Sequence, residues 1–92
     1  MAVDFEIVYH KIVVEQDIPR ITRAWRAKVQ DAIEEKLTMY PEIYGKPLRR
    51  SLKGYRKLRV GDYRIVFRIT ATKVLILAIL HRSIVYREME KR

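Results

Sequence analysis

The side chains best suited to chemistry in this chain are cations set across a short turn. Tyr55 to Val60 and Tyr63 to Ile69 alternate in polarity, and Gly61-Asp62 between them reads as a two-residue hairpin turn. Pairing across that turn sets Arg59 against Arg64, Leu58 against Ile65 and Lys57 against Val66. Leu58, Val60, Tyr63, Ile65 and Phe67 then share one face, and Tyr55, Lys57, Arg59, Arg64, Val66 and Arg68 share the other. Like charges directly opposite one another weaken a sheet. A face that still sets Arg59 against Arg64, flanked by Lys57 and Arg68, is prepared for an anion. Phosphate fits, because guanidinium forks bind its oxygens in pairs.

If the next turn, Ala71-Thr72, is also two residues long, His81 falls on the same basic face near the end of the following strand. One residue more would reverse that parity. An imidazole exchanges its proton near neutral pH, which makes it a natural acid or base beside a phosphate. The same register turns Leu75, Leu77 and Ile79 outward, where the tail or a partner protein must cover them. His10, at the end of an earlier strand, reads as structural.

The charge around these residues is concentrated. The chain has 92 residues and a formal charge of +9. From Lys46 to Lys73 there are ten Lys or Arg and one acid, Asp62, so the whole net charge lies in that stretch. Such a patch concentrates polyanions and makes binding salt-dependent. Within it, Lys46, Arg49, Arg50 and Lys53 read as phosphate contacts that position a nucleic acid without reading it. Apolar residues make up 49% and charged residues 34%, a globular balance, and the length suits one domain, 1–92. With no cysteine, disulfides and thiolate metal sites are excluded, and a reducing, cytoplasmic setting is expected. No secretory leader and no apolar run long enough to span a bilayer is expected either.

The elements that must position the cations are legible in outline. Val3 to Tyr9 alternates as a half-buried strand, and His10 to Gln16 reads as a short helical link. Asp17 and Pro19 supply start signals for a longer helix. Its stripe of Ile21, Ala24, Trp25, Val29, Ala32, Ile33 and Leu37 faces a sheet, while Arg23, Arg26, Gln30 and Glu34 face water. Tyr40-Pro41 ends that helix. Residues 41–54 then read as a loop, Val74 to Leu80 as a strand buried on both faces, and Ser83 to Arg92 as a weakly helical tail. The fold class is α+β: an N-terminal strand, two helices and a three-stranded antiparallel meander, with the helices packed on one sheet face.

The stretch YRKLRVGDYRIVF, from Tyr55 to Phe67, followed by LHRSIVY, from Leu80 to Tyr86, resembles the RelE/ParE superfamily of toxin–antitoxin toxins, in its RelE-like branch. The order of the leading strand and helices extends the resemblance over nearly the whole chain. It implies a toxin that works without metal or cofactor as an endoribonuclease, cutting mRNA in the ribosomal A site. It also implies a cognate antitoxin as partner, with mRNA and ribosomal RNA as the other contacts and no membrane. Lys57 matches the lysine of the family's K-L-R segment and Arg64 the arginine of its Y-R segment, while Arg82 and Tyr86 match its C-terminal arginine and tyrosine. By that resemblance Arg64 and Arg82 clamp the phosphate and its transition state, Lys57 carries a proton or stabilises charge, and Tyr86 stacks on a base or donates a proton. Tyr55 stands where well-known members have a second catalytic lysine, with Lys53 and Arg56 as neighbours, and Leu80 stands where many have glycine. The first departure moves weight onto His81 as general base. Arg59 suits ribosomal contacts as well as chemistry, and Tyr55, Arg56 and Arg68 join the RNA-facing set. A ParE-like gyrase poison on the same fold and a non-catalytic RNA-binding module are the alternatives.

Overall fold

The structure, a computed structural model, describes residues 4–48 and 54–92. Its centre is a five-stranded sheet with spatial order β1-β5-β4-β3-β2. The strands are β1 (Glu6–Tyr9), β2 (Lys46–Pro47), β3 (Arg56–Val60), β4 (Tyr63–Thr70) and β5 (Lys73–His81). The meander β3-β4-β5 is antiparallel as expected, and its hairpin register sets Arg59 opposite Arg64 and Lys57 opposite Val66. β1 joins the far side of β5 in parallel, Glu6 opposite Lys73 and Tyr9 opposite Ile76. A parallel pair needs a crossover connection, and the helices that follow β1 supply it.

The helical layer differs in detail from the pattern in the sequence. A wide helical turn, Val13–Asp17, runs into a tight one, Ile18–Arg20, and the chain then breaks at Ile21, which is extended. The long helix α1 (Arg23–Ala32) starts only after Thr22 and continues as a wide turn over Ile33–Leu37. Asp17 and Pro19 therefore stand at the start of the tight turn Ile18–Arg20 and not of α1, which the extended Ile21 separates from it. His10 caps the first segment: the Ile12 N–H donates to its Nδ1 at 3.1 Å. Ala24, expected on the buried stripe, is exposed. Tyr40-Pro41 does end the helix, but Pro41 opens a short helix, α2 (Pro41–Tyr44), and Lys46–Pro47 pairs with β3, so this part of the expected loop is ordered structure.

Two apolar clusters flank the sheet. On the helix side, Val13, Ile21, Val29, Ile33 and Leu37 pack on Leu58, Ile65, Phe67, Val74, Ile76 and Ile79. On the other side, Val85 and Met89 of helix α3 (Val85–Lys91) cover Val66, Ala78 and Leu80. The tail is thus the cover that the apolar strip of β5 needs. That strip is not the expected one, however. The register shifts between Val66 and Phe67: Phe67 faces Ile76 but Val66 faces Ala78, which leaves Leu77 as an extra residue. Such a bulge reverses the alternation beyond it. Ile79, expected outward, therefore lies in the helix-side core, and Leu80 takes its place under α3. Among the described residues no helix is long and apolar enough to cross a membrane.

Candidate active site

Strands β3 and β4, the end of β5 and the start of α3 enclose an open cleft of about 380 Å³, lined by Lys57, Arg64, His81, Arg82, Ser83, Val85 and Tyr86. The β3-β4 turn fastens them together. Gly61 has φ +58° and Asp62 does not have positive φ, the pattern of a turn with glycine first. Its carbonyl accepts from Arg64 Nη1 at 2.9 Å, and the Tyr63 carbonyl accepts from the same nitrogen at 3.0 Å. Both Nη1 hydrogens are thus engaged, and the Nε–Nη2 edge of Arg64 is left to form a fork on an anion. Asp62 holds Arg82 twice, its carbonyl accepting the Arg82 N–H at 2.8 Å and its carboxylate facing Arg82 Nε at 3.5 Å. Both side chains of that ion pair are mostly exposed, so it is weak and exchangeable for a phosphate.

Gly61 also closes the turn over the core, since a Cβ there would lie 2.2 Å from the Trp25 ring. Gly61→Ala combines that clash with a left-handed backbone and is expected to cost about 2–3 kcal/mol. A urea titration reads the loss, and a variant within 1 kcal/mol of wild type, roughly, would show that the turn moves freely.

The electrostatics of the cleft are those of an anion site. Partial burial, followed by the charges of Arg59 and Arg82, lowers the Arg64 pKa from the ordinary arginine value, and Asp62 offsets part of this. The guanidinium stays cationic at any working pH. Lys57 Nζ donates to the Tyr86 hydroxyl at 3.4 Å and lies 5.6 Å from the centre of its ring. Lys46 stands directly opposite Lys57 across the β2-β3 pair, a second like-charge pairing on this face.

His81 reaches the cleft by a different route from the one alternation predicts. The bulge sets it opposite Tyr63, with the two rings edge to face at 6.1 Å, so it does not share the strand face of Arg59 and Arg64. It lines the cleft because it is the last residue of β5, where the chain curls toward α3. There the Ser83 N–H donates to His81 Nδ1 at 3.2 Å, and Ser83 Oγ lies 2.8 Å from the same nitrogen. A backbone N–H can only donate, so the neutral imidazole carries its proton on Nε2.

The remaining candidates separate. Arg59 is exposed beside Arg64. Arg68 lies toward the other end of β4, opposite Leu75, outside the cleft. Tyr55 packs against the α3-side cluster. Arg56 belongs to the opposite face of β3, where its Nη1 donates to the carbonyls of Gly45 at 3.1 Å and Glu42 at 3.4 Å and ties α2 to the sheet. Arg49, Arg50 and Lys53 lie outside the described residues. Ser83, which lines the cleft, and Asp62, which holds Arg82 from the turn, are residues that composition alone does not pick out. A hydroxyl two residues after His81 and an acid in the turn facing the H-R pair were the available signals. Among the described residues no three His, Asp or Glu side chains gather in a way that could hold a metal.

A family model described as the ParE toxin of type II toxin–antitoxin systems, parDE, matches residues 3–86. The chain belongs to the RelE/ParE superfamily of toxins. Within that superfamily it is 35% identical over 74 residues to Toxin RelE of Mycobacterium tuberculosis, covering 78% of this chain and 76% of that protein. It is 45% identical over 53 residues to Toxin RelG of the same organism, a match that spans 55% of this chain and 61% of the relative. The crystal structure of the RelBE2 toxin–antitoxin complex from M. tuberculosis superposes with a TM-score of 0.80 at 31% identity, covering 88% of this chain and 94% of that one. The superfamily architecture, with the helices that follow the N-terminal strand packed on one face of the sheet, is the one described above.

Proposed function

We propose that this toxin is a metal-independent endoribonuclease that cuts mRNA in the ribosomal A site and so arrests translation. The observation that supports the reading is the gathering of Lys57, Arg64, His81, Arg82 and Tyr86 around one open cleft of a size to admit a nucleotide's phosphate and sugar. In the reaction the ribose 2′-oxygen attacks the adjacent phosphorus, the bond to the 5′-oxygen breaks, and a cyclic phosphate and a 5′-hydroxyl result. Arg64, through its Nε–Nη2 edge, and Arg82, released from Asp62, take up the charge that grows on the phosphorane oxygens. Tyr86, as a phenolate held by the Lys57 ammonium it contacts, accepts the 2′-hydroxyl proton. His81, as its imidazolium, gives the Nε2 proton to the departing 5′-oxygen, with Ser83 Oγ placed to accept from the Nδ1–H that remains. Lys46, Arg59 and Arg68 hold flanking RNA and rRNA phosphates, together with Arg49, Arg50 and Lys53. A cognate antitoxin neutralises the toxin.

The match to the ParE family model favours a second reading, a toxin that acts through protein contacts on gyrase. Induced expression in a bacterial host with mapping of transcript 5′ ends separates the two. The ribonuclease reading expects growth arrest with new 5′-hydroxyl ends inside reading frames at a fixed position in the codon. Arrest without new ends would transfer the case to the gyrase reading.

A further inference from the structure

β1 pairs with β5 only as far as Tyr9 opposite Ile76, and the His10 N–H then reaches the Ile76 carbonyl at 2.9 Å. Beyond that point two side chains continue the ladder. Asp17 Oδ2 accepts the Ile79 N–H at 3.0 Å, and Arg92 Nη1 donates to the Leu77 carbonyl at 3.3 Å. The two are joined to each other, Arg92 Nη2 to Asp17 Oδ1 at 2.7 Å and Nη1 to Oδ2 at 2.9 Å. The Asp17 side chain is 0% exposed and that of Arg92 13%. Leu77 is the extra residue of the bulge, so this fork brackets the point where the alternation of β5 reverses. Arg92 also directly follows α3, the helix that carries Tyr86 into the cleft.

We infer that Arg92, through Asp17, is a positioning residue for the cleft. It ties the bulge and the end of α3 to a single point, and thereby sets where Tyr86 stands relative to His81 and Arg82. A buried ion pair adds little net stability over apolar packing, and Val85 and Met89 already bury α3 on the sheet. What the fork supplies is geometry: in this register of β5 it satisfies the Leu77 carbonyl and the Ile79 N–H together. The structural part rests on these contacts alone, and the catalytic consequence rests on the ribonuclease reading.

Two readouts on Arg92→Ala and Arg92→Lys test it: the NMR signals of the His81 and Tyr86 rings in the isolated chain, and the single-turnover cleavage rate on ribosomes at saturation. Arg92→Ala is expected to shift both ring signals while those of Trp25 and Phe67 hold, and to slow cleavage about 100-fold at unchanged ribosome affinity. Arg92→Lys, which keeps the charge but not the fork, falls between. If Arg92→Ala does not fold, Arg92→Lys is read against the same criteria. Ring signals that stay in place in a folded variant, or cleavage at the wild-type rate, overturn the inference. Shifted rings in a chain whose wild type never cleaves would uphold the positioning role and sink the ribonuclease reading instead.

Discussion

If the toxin is the ribonuclease proposed above, Arg64→Ala is expected to cut the rate of mRNA cleavage by about 10²–10³-fold while leaving the protein folded. Its guanidinium is already aimed by two bonds to the turn, to Gly61 O and Tyr63 O, so the loss falls on transition-state charge and not on a loosely held side chain. The same substitution removes one member of the Arg59–Arg64 cross-strand pair. Stability should therefore hold or rise by tenths of a kcal/mol as that repulsion is relieved. Rapid-quench cleavage on programmed ribosomes, beside a thermal melt, reads both quantities. Activity lost together with stability would mean that Arg64 serves the fold. Activity retained would remove it from the chemistry. The opposed directions are what distinguish a binding site from a structural one: a cation crowded by cations lowers stability in the empty state and is useful only with an anion present.

Asp17→Ala is expected to be the most damaging single change to the fold, by about 3–5 kcal/mol. The side chain is fully enclosed, and removing it strands the Arg92 guanidinium and leaves the Ile79 N–H without its acceptor. Against a typical total of about 5–15 kcal/mol, that takes a large share. The melting temperature of a chain this size should fall by more than about 12 °C. A urea titration checks it, with the midpoint lowered and the slope unchanged. A loss below about 1 kcal/mol would mean that water replaces the carboxylate at little cost. Asp17→Leu with Arg92→Met should restore much of the stability, because the penalty lies in orphaned charge and not in lost attraction.

How far the sequence reaches is clearest at β5. The register of β3 against β4 is local, set by a two-residue turn and strict alternation, and it could be read residue by residue. The parity of β5 could not. It depends on Asp17, 62 residues from Ile79, and on Arg92, 15 residues from Leu77, meeting at one bulge. Alternation carried through that bulge puts Ile79 on the wrong face and brings His81 to the basic side for a reason that does not hold; His81 meets Lys57, Arg64 and Arg82 because β5 ends there. The parallel pairing of β1 with β5 is equally non-local. Arg56 shows the reverse error: composition counts it with the phosphate-binding cations, yet its place one residue before Lys57 sends it to the helix side, where two backbone carbonyls bind it. Asp17 and Pro19 do start a helical turn, Ile18–Arg20, but the extended Ile21 separates it from the long helix, and the Asp17 carboxylate bonds Ile79 and Arg92 instead of capping.

The proposed cleavage requires side chains from β3, β4, β5 and α3 to meet around one phosphodiester. Its most direct test is the structure of the toxin on a ribosome whose A-site codon carries a 2′-O-methyl group at the cut position, which blocks attack without removing the phosphate. The scissile phosphate should lie within hydrogen-bond reach of Arg64 and Arg82, with the blocked 2′-oxygen beside Lys57 and Tyr86. A phosphate bound instead near Arg68, with the cleft empty, would contradict it.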